Sequence, residues 1–117
     1  SKDVCEYLQQ PNVLTDATLN LQQVANATGY SRNQLSYLFN QVLGSRFLQY
    51  LNEQRIRYLL QQLAHLCAEQ AADSHSLEVL ALEAGFNSHS VFYKYFRHLT
   101  GQTPKQYWKQ ISARARS

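Results

Sequence analysis

Glycine and proline are scarce in this sequence of 117 residues, which contains four Gly and two Pro. Because these two residues mark most turns, the chain has few sites at which a turn is favoured. Gln, Leu and Ala are abundant instead, and all three favour helices. Hydrophobic residues make up 44% of the sequence, which is enough for a folded core. The composition therefore predicts an all-α fold.

Long apolar stretches are also lacking. No run approaches the roughly 20 residues that span a bilayer, and no charged segment followed by a short apolar one suggests a signal peptide. Cysteine is rare as well, because the chain has only Cys5 and Cys67, and their spacing suggests no disulfide. Both are expected to be reduced thiols. These absences predict a cytoplasmic protein.

Residues that could perform catalysis or bind a metal are missing too. His65, Cys67 and His75 match no zinc-binding spacing, and a fourth ligand is absent. No nucleophile–base pair and no phosphate-binding loop is present. We therefore predict that the chain is not an enzyme and that it uses no metal and no cofactor.

The positive charge is concentrated in the last third of the sequence. The formal net charge is +3, and residues 77–117 contribute six basic and two acidic side chains. A basic region fits a polyanionic partner such as nucleic acid. Many ordinary solvated helix faces are equally basic, so the charge alone does not decide between the two interpretations.

An internal repeat relates the two halves of the chain. Five residues match residues that lie 56 positions later, and five more match residues 57 positions later, with Asn87 as the inserted residue. The pairs are Leu21 with Leu77, Val24 with Leu80, Ala25 with Ala81, Gly29 with Gly85, Tyr30 with Phe86, Ser31 with Ser88, Leu35 with Phe92, Phe39 with Phe96, Gly44 with Gly101 and Tyr50 with Tyr107. The repeat predicts that one structural unit occurs twice.

Each repeat unit has the pattern of a helix, a tight turn and a second helix. A glycine, Gly29 or Gly85, ends the first helix, and a serine, Ser31 or Ser88, can cap the second. In the first unit Gln34 completes a capping box with Ser31. The second helices have apolar stripes formed by Leu35, Leu38, Phe39 and Val42 and by Phe92, Tyr95, Phe96 and Leu99. This arrangement predicts two helix-turn-helix motifs.

A long helix is predicted between the units, from Phe47 to about Ala68, with an apolar stripe of Leu48, Leu51, Ile56, Leu59, Leu60, Leu63 and Leu66. It would span about 30 Å, close to the ~34 Å of one DNA turn. Thr103, Pro104 and Gln106 begin a last helix with a capping box. We expect one domain over residues 1–117, with subdomains at 3–46 and 77–112 and a linker helix at 47–68.

The second helix of a helix-turn-helix motif buries one face and presents the other to the major groove of DNA. The faces opposite the apolar stripes contain donors, acceptors and one tyrosine each, and neither contains an acid. They are formed by Arg32, Asn33, Ser36, Tyr37 and Asn40 in the first unit and by His89, Ser90, Tyr93, Lys94 and Arg97 in the second. Arg46 and Lys105 lie just beyond them and are candidates for phosphate contacts. Ser88 is first of all the cap of the second helix, and the backbone N–H groups that it organises are candidates for a phosphate contact.

A single face of this kind is more simply interpreted as a solvated surface. Two matched faces without acids favour binding of double-stranded DNA. A helical module that binds a partner protein through these faces is the alternative hypothesis.

The residues just described resemble the C-terminal DNA-binding domain of AraC/XylS-type transcription regulators. The resemblance covers roughly Leu19 to Ile111. It is most specific in the second unit, in the segment ALEAGFNSHSVFYKYFRHLTGQTPKQYW. The first unit matches more loosely, through Leu35-Ser36, Phe39-Asn40, Gly44, Phe47, Asn52 and Arg55.

The resemblance implies about seven helices, two of them recognition helices, and a bacterial transcription regulator that recruits or blocks RNA polymerase. It also implies an effector or dimerisation domain that is missing from this chain.

Two features depart from the family pattern. The connection between Arg55 and Gly85 is longer than expected, with the insertion at about 67–76, and the first recognition helix is poor in Arg and Lys.

Overall fold

The computed structural model describes residues 2–68 and 76–116, and these residues form eight α-helices and one π-helical turn, with no strand among them. The helices are α1 (Lys2–Gln9), α2 (Pro11–Leu14), α3 (Leu21–Thr28), α4 (Arg32–Tyr37), α5 (Phe47–Ala68), α6 (Leu77–Glu83), α7 (His89–Thr100) and α8 (Pro104–Arg116), and the π-helical turn (Leu38–Val42) continues α4. The predicted all-α fold is confirmed, with one helix more than the seven expected. Most of the predicted insertion, including His75, lies outside the described residues.

The molecule is elongated, with extents of 50 × 23 × 23 Å. Its radius of gyration is 15.6 Å, whereas a compact chain of this length has about 13 Å. The reason is that the hydrophobic residues form two separate cores. The first core contains Val4, Leu8, Leu14, Leu19, Val24, Ala25, Leu35, Phe39 and Leu51. The second contains Ile56, Leu59, Leu63, Leu80, Ala81, Ala84, Phe86, Phe92 and Phe96. We call the parts of the molecule around them the first and the second lobe.

Helix α5 contributes to both cores. Leu51 is buried in the first core, and Ile56, Leu59 and Leu63 are buried in the second. Tyr58 packs against both cores. The two lobes are therefore joined by one continuous helix that contributes side chains to both cores.

The internal repeat is confirmed in three dimensions. Equivalent aromatic pairs are in contact in the two lobes, with ring centroids 5.5 Å apart for Phe39 and Tyr50 and 5.3 Å apart for Phe96 and Tyr107. The glycines that follow the second helices, Gly44 and Gly101, both have φ of 74°. Because only glycine adopts this region without strain, both helices end at the equivalent residue.

The predicted helix caps are also confirmed. The Ser31 hydroxyl accepts a hydrogen bond from the Gln34 backbone N–H (3.1 Å), and the Gln34 side chain accepts one from the Ser31 N–H (2.8 Å). Thr103 and Gln106 form the same box at α8, and the Ser88 hydroxyl caps α7. A further capping box, between Asn20 and Gln23, begins α3. These caps satisfy backbone donors that a helix start leaves unpaired.

Two members of the predicted apolar stripes are exposed. The backbone N–H of Leu43 donates to the carbonyl of Leu38 (3.0 Å), which closes a π-helical turn. This wider turn changes the register, so Val42 is 59% exposed instead of following Leu35 and Phe39 into the core. Leu48 lies in the first turn of α5 and is 61% exposed. Helical spacing alone placed both residues wrongly.

The leucines of α5 allow a direct test of the core. Leu51 is fully buried, and Leu48, three residues earlier in the same helix, is mostly exposed. We expect Leu51→Ala to lower the free energy of unfolding by about 2–5 kcal/mol and Leu48→Ala to change it by less than about 0.5 kcal/mol. Urea denaturation of the two variants measures the difference. Equal losses would show that the described burial of α5 is incorrect.

The cap of α4 gives a second prediction. Ser31→Ala removes the acceptor of the Gln34 N–H, so the free energy of unfolding should fall by about 1 kcal/mol, or roughly 4 °C in Tm. Ser31→Asp keeps an acceptor at this position and should retain most of the stability. A thermal melt in which the alanine variant matches the wild type would contradict the cap.

Candidate nucleic-acid interface

The first candidate surface lies on α4 and the π-helical turn. Leu35 and Phe39 are 0% and 1% exposed and attach this segment to the first core. Its opposite side is exposed, and Tyr37 has 68% of its side chain accessible. All five residues predicted for this face lie on it: Arg32, Asn33, Ser36, Tyr37 and Asn40.

Two open grooves flank α4 and differ in character. On one side, α4 and α3 form a polar groove lined by Gln22, Asn26, Arg32 and Ser36. On the other side, the groove is lined by more apolar side chains, among them Tyr30, Tyr37, Leu38 and Val42. Asn33 lines both grooves. The face therefore has a polar edge and an apolar edge that meet at Asn33.

The turn before α4 is tied to the start of the chain. The Tyr30 hydroxyl donates to the Asp3 carboxylate, with distances of 3.2 and 3.1 Å to its two oxygens. This hydrogen bond and the charge of Asp3 raise the pKa of Tyr30. Nearby, burial and a hydrogen bond to the Cys5 thiol raise the pKa of Tyr50 to about 12. These two contacts attach α1 to the first helix-turn-helix unit.

The second candidate surface lies on α7. Phe92 and Phe96 attach this helix to the second core and are 2% and 0% exposed. On the opposite side all five predicted residues are exposed: His89, Ser90, Tyr93, Lys94 and Arg97. The ammonium group of Lys94 lies 5.4 Å from the centroid of the Tyr95 ring, a distance at which the cation and the ring attract each other. The predicted contact residue Ser88 is half-buried because its hydroxyl caps the helix.

Neighbouring helices add side chains to the α7 surface. Lys105 of α8 lines an open groove together with His89 and Tyr93, and Glu78 of α6 lines it as well. Glu78 is an acid at the edge of a surface that the sequence predicted to be free of acids. Gln49 of α5 lines a second groove beside Lys94 and Arg97. Neither residue follows from the pattern of α7, because both belong to other helices.

Arg46, the remaining predicted residue, is exposed and directly precedes α5. Its carbonyl accepts the backbone hydrogen bond of Tyr50 (2.9 Å), as the carbonyl of Thr103 does for Tyr107 before α8 (3.0 Å). Arg46 thus lies at the same position of the repeat as the cap of α8, and its side chain faces solvent.

Among residues 2–68 and 76–116, no cluster of three His, Cys, Asp or Glu side chains suited to a metal ion occurs. Within the same ranges no helix is both long and apolar enough to cross a membrane. Of the three residues considered as metal ligands, His75 and the side chain of Cys67 lie outside the described part of the chain.

Comparison with known proteins gives consistent results. Residues 24–110 match a family model described as a helix-turn-helix domain. An HTH-type transcriptional regulator of Staphylococcus aureus strain MSSA476 is 32% identical over 104 residues, which are 89% of this chain and 13% of the relative. Another from Staphylococcus aureus is 34% identical over 104 residues, with the same coverage. The chain thus spans about an eighth of the length of these relatives.

Two solved structures share the fold. A protein of unknown function from Listeria innocua superposes with a TM-score of 0.73 and 25% identity, covering 92% of this chain and 93% of that one. The C-terminal domain of AraT, a response regulator from Geobacillus stearothermophilus, superposes with a TM-score of 0.70 and 23% identity, covering 93% and 83%. These two structures show the shared fold, and the family-model match, supported by the two relatives, shows that the chain belongs to the AraC-type helix-turn-helix family of DNA-binding domains of transcription regulators.

Proposed function

We propose that α4 and α7 are recognition helices that enter successive major grooves on one side of a DNA duplex. The observation that carries this proposal is their equivalence: each buries its apolar side in its own core and exposes a polar side to which the helix itself contributes no acid. Glu78 of α6 lies only at the edge of the α7 surface. Helix α5, with 22 residues, is about 33 Å long, close to the ~34 Å between successive major grooves. In this proposal residues 3–46 and 77–112 each present one recognition helix, and residues 47–68 separate them.

Helix α7 supplies most of the electrostatic attraction. Lys94 and Arg97 are exposed on the same side of the helix, and Lys105 lies beside its first turn. Such side chains bind phosphate oxygens, or the O6 and N7 atoms of guanine. His89 and Ser90, at the start of the helix, are placed to contact base edges or phosphate, because recognition helices read bases with their N-terminal residues.

Helix α4 reads the second half-site mainly through uncharged groups. Asn33 can pair with the N6 and N7 atoms of adenine, and Ser36 can bond to several base edges. Tyr37, on the apolar edge, suits the methyl group of thymine. Arg32 and Arg46 contact the backbone on this side, and Asn40 extends the surface into the π-helical turn.

The proposed role of the longer protein follows the family pattern. A domain elsewhere in that protein would sense an effector or form a dimer, and DNA binding by this chain would recruit or block RNA polymerase in the bacterial cytoplasm. This chain would contribute recognition only, without catalysis.

The interface can be tested with DNA that the protein itself selects from a random pool. Against the selected duplex, Lys94→Ala and Asn33→Ala should each weaken binding by about 1–3 kcal/mol. If Lys94 binds phosphate, its variant should also reduce the slope of log affinity against log salt by about 1. Asn33→Ala should leave that slope unchanged and relax the preference at one base pair.

Arg57→Ala is the matched control, because it removes an exposed positive charge from α5 instead of α7. It should change the affinity much less than Lys94→Ala, and circular dichroism should show that all three variants are folded. If no duplex is enriched, or if the wild type and all variants bind equally without salt dependence, the exposed faces serve another partner, and a protein ligand becomes the better hypothesis.

A further inference from the structure

In the described part of the chain, Arg55 is the one buried residue with a polar or charged side chain, and 6% of its surface is exposed. It lies on α5 four residues after Leu51, which is in the first core, and four before Leu59, which is in the second. A guanidinium group stays protonated and requires several hydrogen-bond acceptors when it is buried. Its position between the two cores therefore needs an explanation.

The guanidinium group holds a loop of the first lobe. Its Nε donates to the carbonyl of Leu14 (2.8 Å), and one terminal nitrogen donates to the carbonyl of Asp16 (2.7 Å). The other terminal nitrogen lies 3.5 Å from the Asn52 side-chain oxygen. Because the planar fork of arginine binds both carbonyls at once, it fixes the loop between α2 and α3 against α5.

The second lobe packs against the same group. Gly85, in the turn between α6 and α7, has φ of 104°. A Cβ atom at this position would lie 2.8 Å from the Arg55 Nε and 3.0 Å from the Thr15 carbonyl oxygen. At the equivalent position of the first unit, Gly29 has φ of 82° and no atom within 4 Å of such a Cβ. The second turn therefore packs against Arg55 and the first lobe through Gly85, whereas Gly29 makes no equivalent contact.

This contact lies close to the second recognition surface. Gly85 is separated from His89, the first residue of α7, by only three residues. The position of Gly85 thus sets where α7 begins relative to the first lobe. We infer that the packing contact of Gly85 against Arg55 fixes the relative placement of α4 and α7. Arg55 is then a positioning residue for the spacing of the two DNA half-sites. The statement about half-site spacing rests on the proposed function, whereas the statement about the placement of the two helices does not.

Each lobe retains its own packing on α5 if this contact is lost, so variants at the contact should still fold. Arg55→Lys keeps the charge but loses the fork that binds both carbonyls. Gly85→Ala keeps Arg55 and forces the turn away from it. Gly29→Ala is the matched control, because it imposes the same backbone strain of a positive φ without any collision.

The first measurement does not involve DNA. Nitroxide labels at Asn26→Cys and Leu82→Cys, in a chain with Cys5→Ser and Cys67→Ser, mark equivalent exposed positions of α3 and α6. Pulsed electron paramagnetic resonance should give a single narrow distance distribution for the otherwise unaltered protein and for Gly29→Ala. Arg55→Lys and Gly85→Ala should broaden or shift it. An unchanged distribution in both variants would overturn the inference, whatever the protein binds.

The second measurement uses the selected duplex with the half-sites moved by one or two base pairs, each of which shifts them by about 3.4 Å and rotates them by about 35°. The wild type and Gly29→Ala should prefer one spacing, with an affinity about 10²–10⁴ times that for one half-site alone. In Arg55→Lys and Gly85→Ala this gain should fall at least about tenfold, while binding to the single half-site stays the same. Variants that are less stable but keep the wild-type spacing preference would show that Arg55 has a structural role only.

The two measurements distinguish a failure of the inference about Arg55 from a failure of the proposed DNA-binding function. If the distance distributions change as expected but the wild type shows no preferred spacing, the contact between the lobes exists and the proposed reading of two half-sites is incorrect. If the wild type prefers one spacing and the distance distributions of the variants do not change, the DNA-binding proposal stands and the role of Arg55 is rejected.

Discussion

Helix α5 belongs to two hydrophobic cores at once, and this constraint determines the shape of the molecule. Leu51 faces the first core, and Leu59 and Leu63 face the second. A lobe of about 50 residues is small for independent stability, but each lobe here gains one apolar face of a shared helix. Sharing the helix leaves a boundary between the two cores, and Arg55 lies at that boundary. Its charge is tolerated there because the guanidinium group donates hydrogen bonds to the carbonyls of Leu14 and Asp16.

The same structural unit is used twice, and the two copies differ at informative positions. The caps at Ser31 and Ser88, the aromatic contact pairs and the terminal glycines are equivalent. The second helix of the first unit ends in a π-helical turn, whereas α7 is a regular helix of 12 residues. Insertions of this kind are frequent at functional sites. In the first unit the turn places Asn40 and Val42 on the exposed surface, which a regular continuation of the apolar stripe would not do for Val42.

Local features of the structure followed from the sequence, and long-range ones did not. The boxes of Ser31 with Gln34 and of Thr103 with Gln106 depend on residues three positions apart, so the pattern alone predicts them. The burial of Arg55 depends on carbonyls 41 and 39 positions away. One signal was present, because Arg55 lies on the apolar stripe of α5, between Leu51 and Leu59. Helical spacing reports which side of a helix a residue occupies, but it does not report whether another element covers that side, and Leu48 was misplaced for this reason.

The two candidate surfaces are chemically unequal, and the inequality bears on how such a protein finds its site. The α7 surface carries Lys94 and Arg97 with Lys105 nearby, whereas the α4 surface has Arg32 alone on its exposed face. Nonspecific attraction to phosphate grows with the number of cations, so in the proposed complex α7 supplies most of the affinity that depends on salt. Asn33, Ser36 and Tyr37 gain little from bulk electrostatics and need close contact with base edges. The α4 surface can then add specificity only when the two lobes hold it in register with the second groove. The contact between Arg55 and Gly85 therefore matters for the α4 surface, although it lies in another part of the molecule.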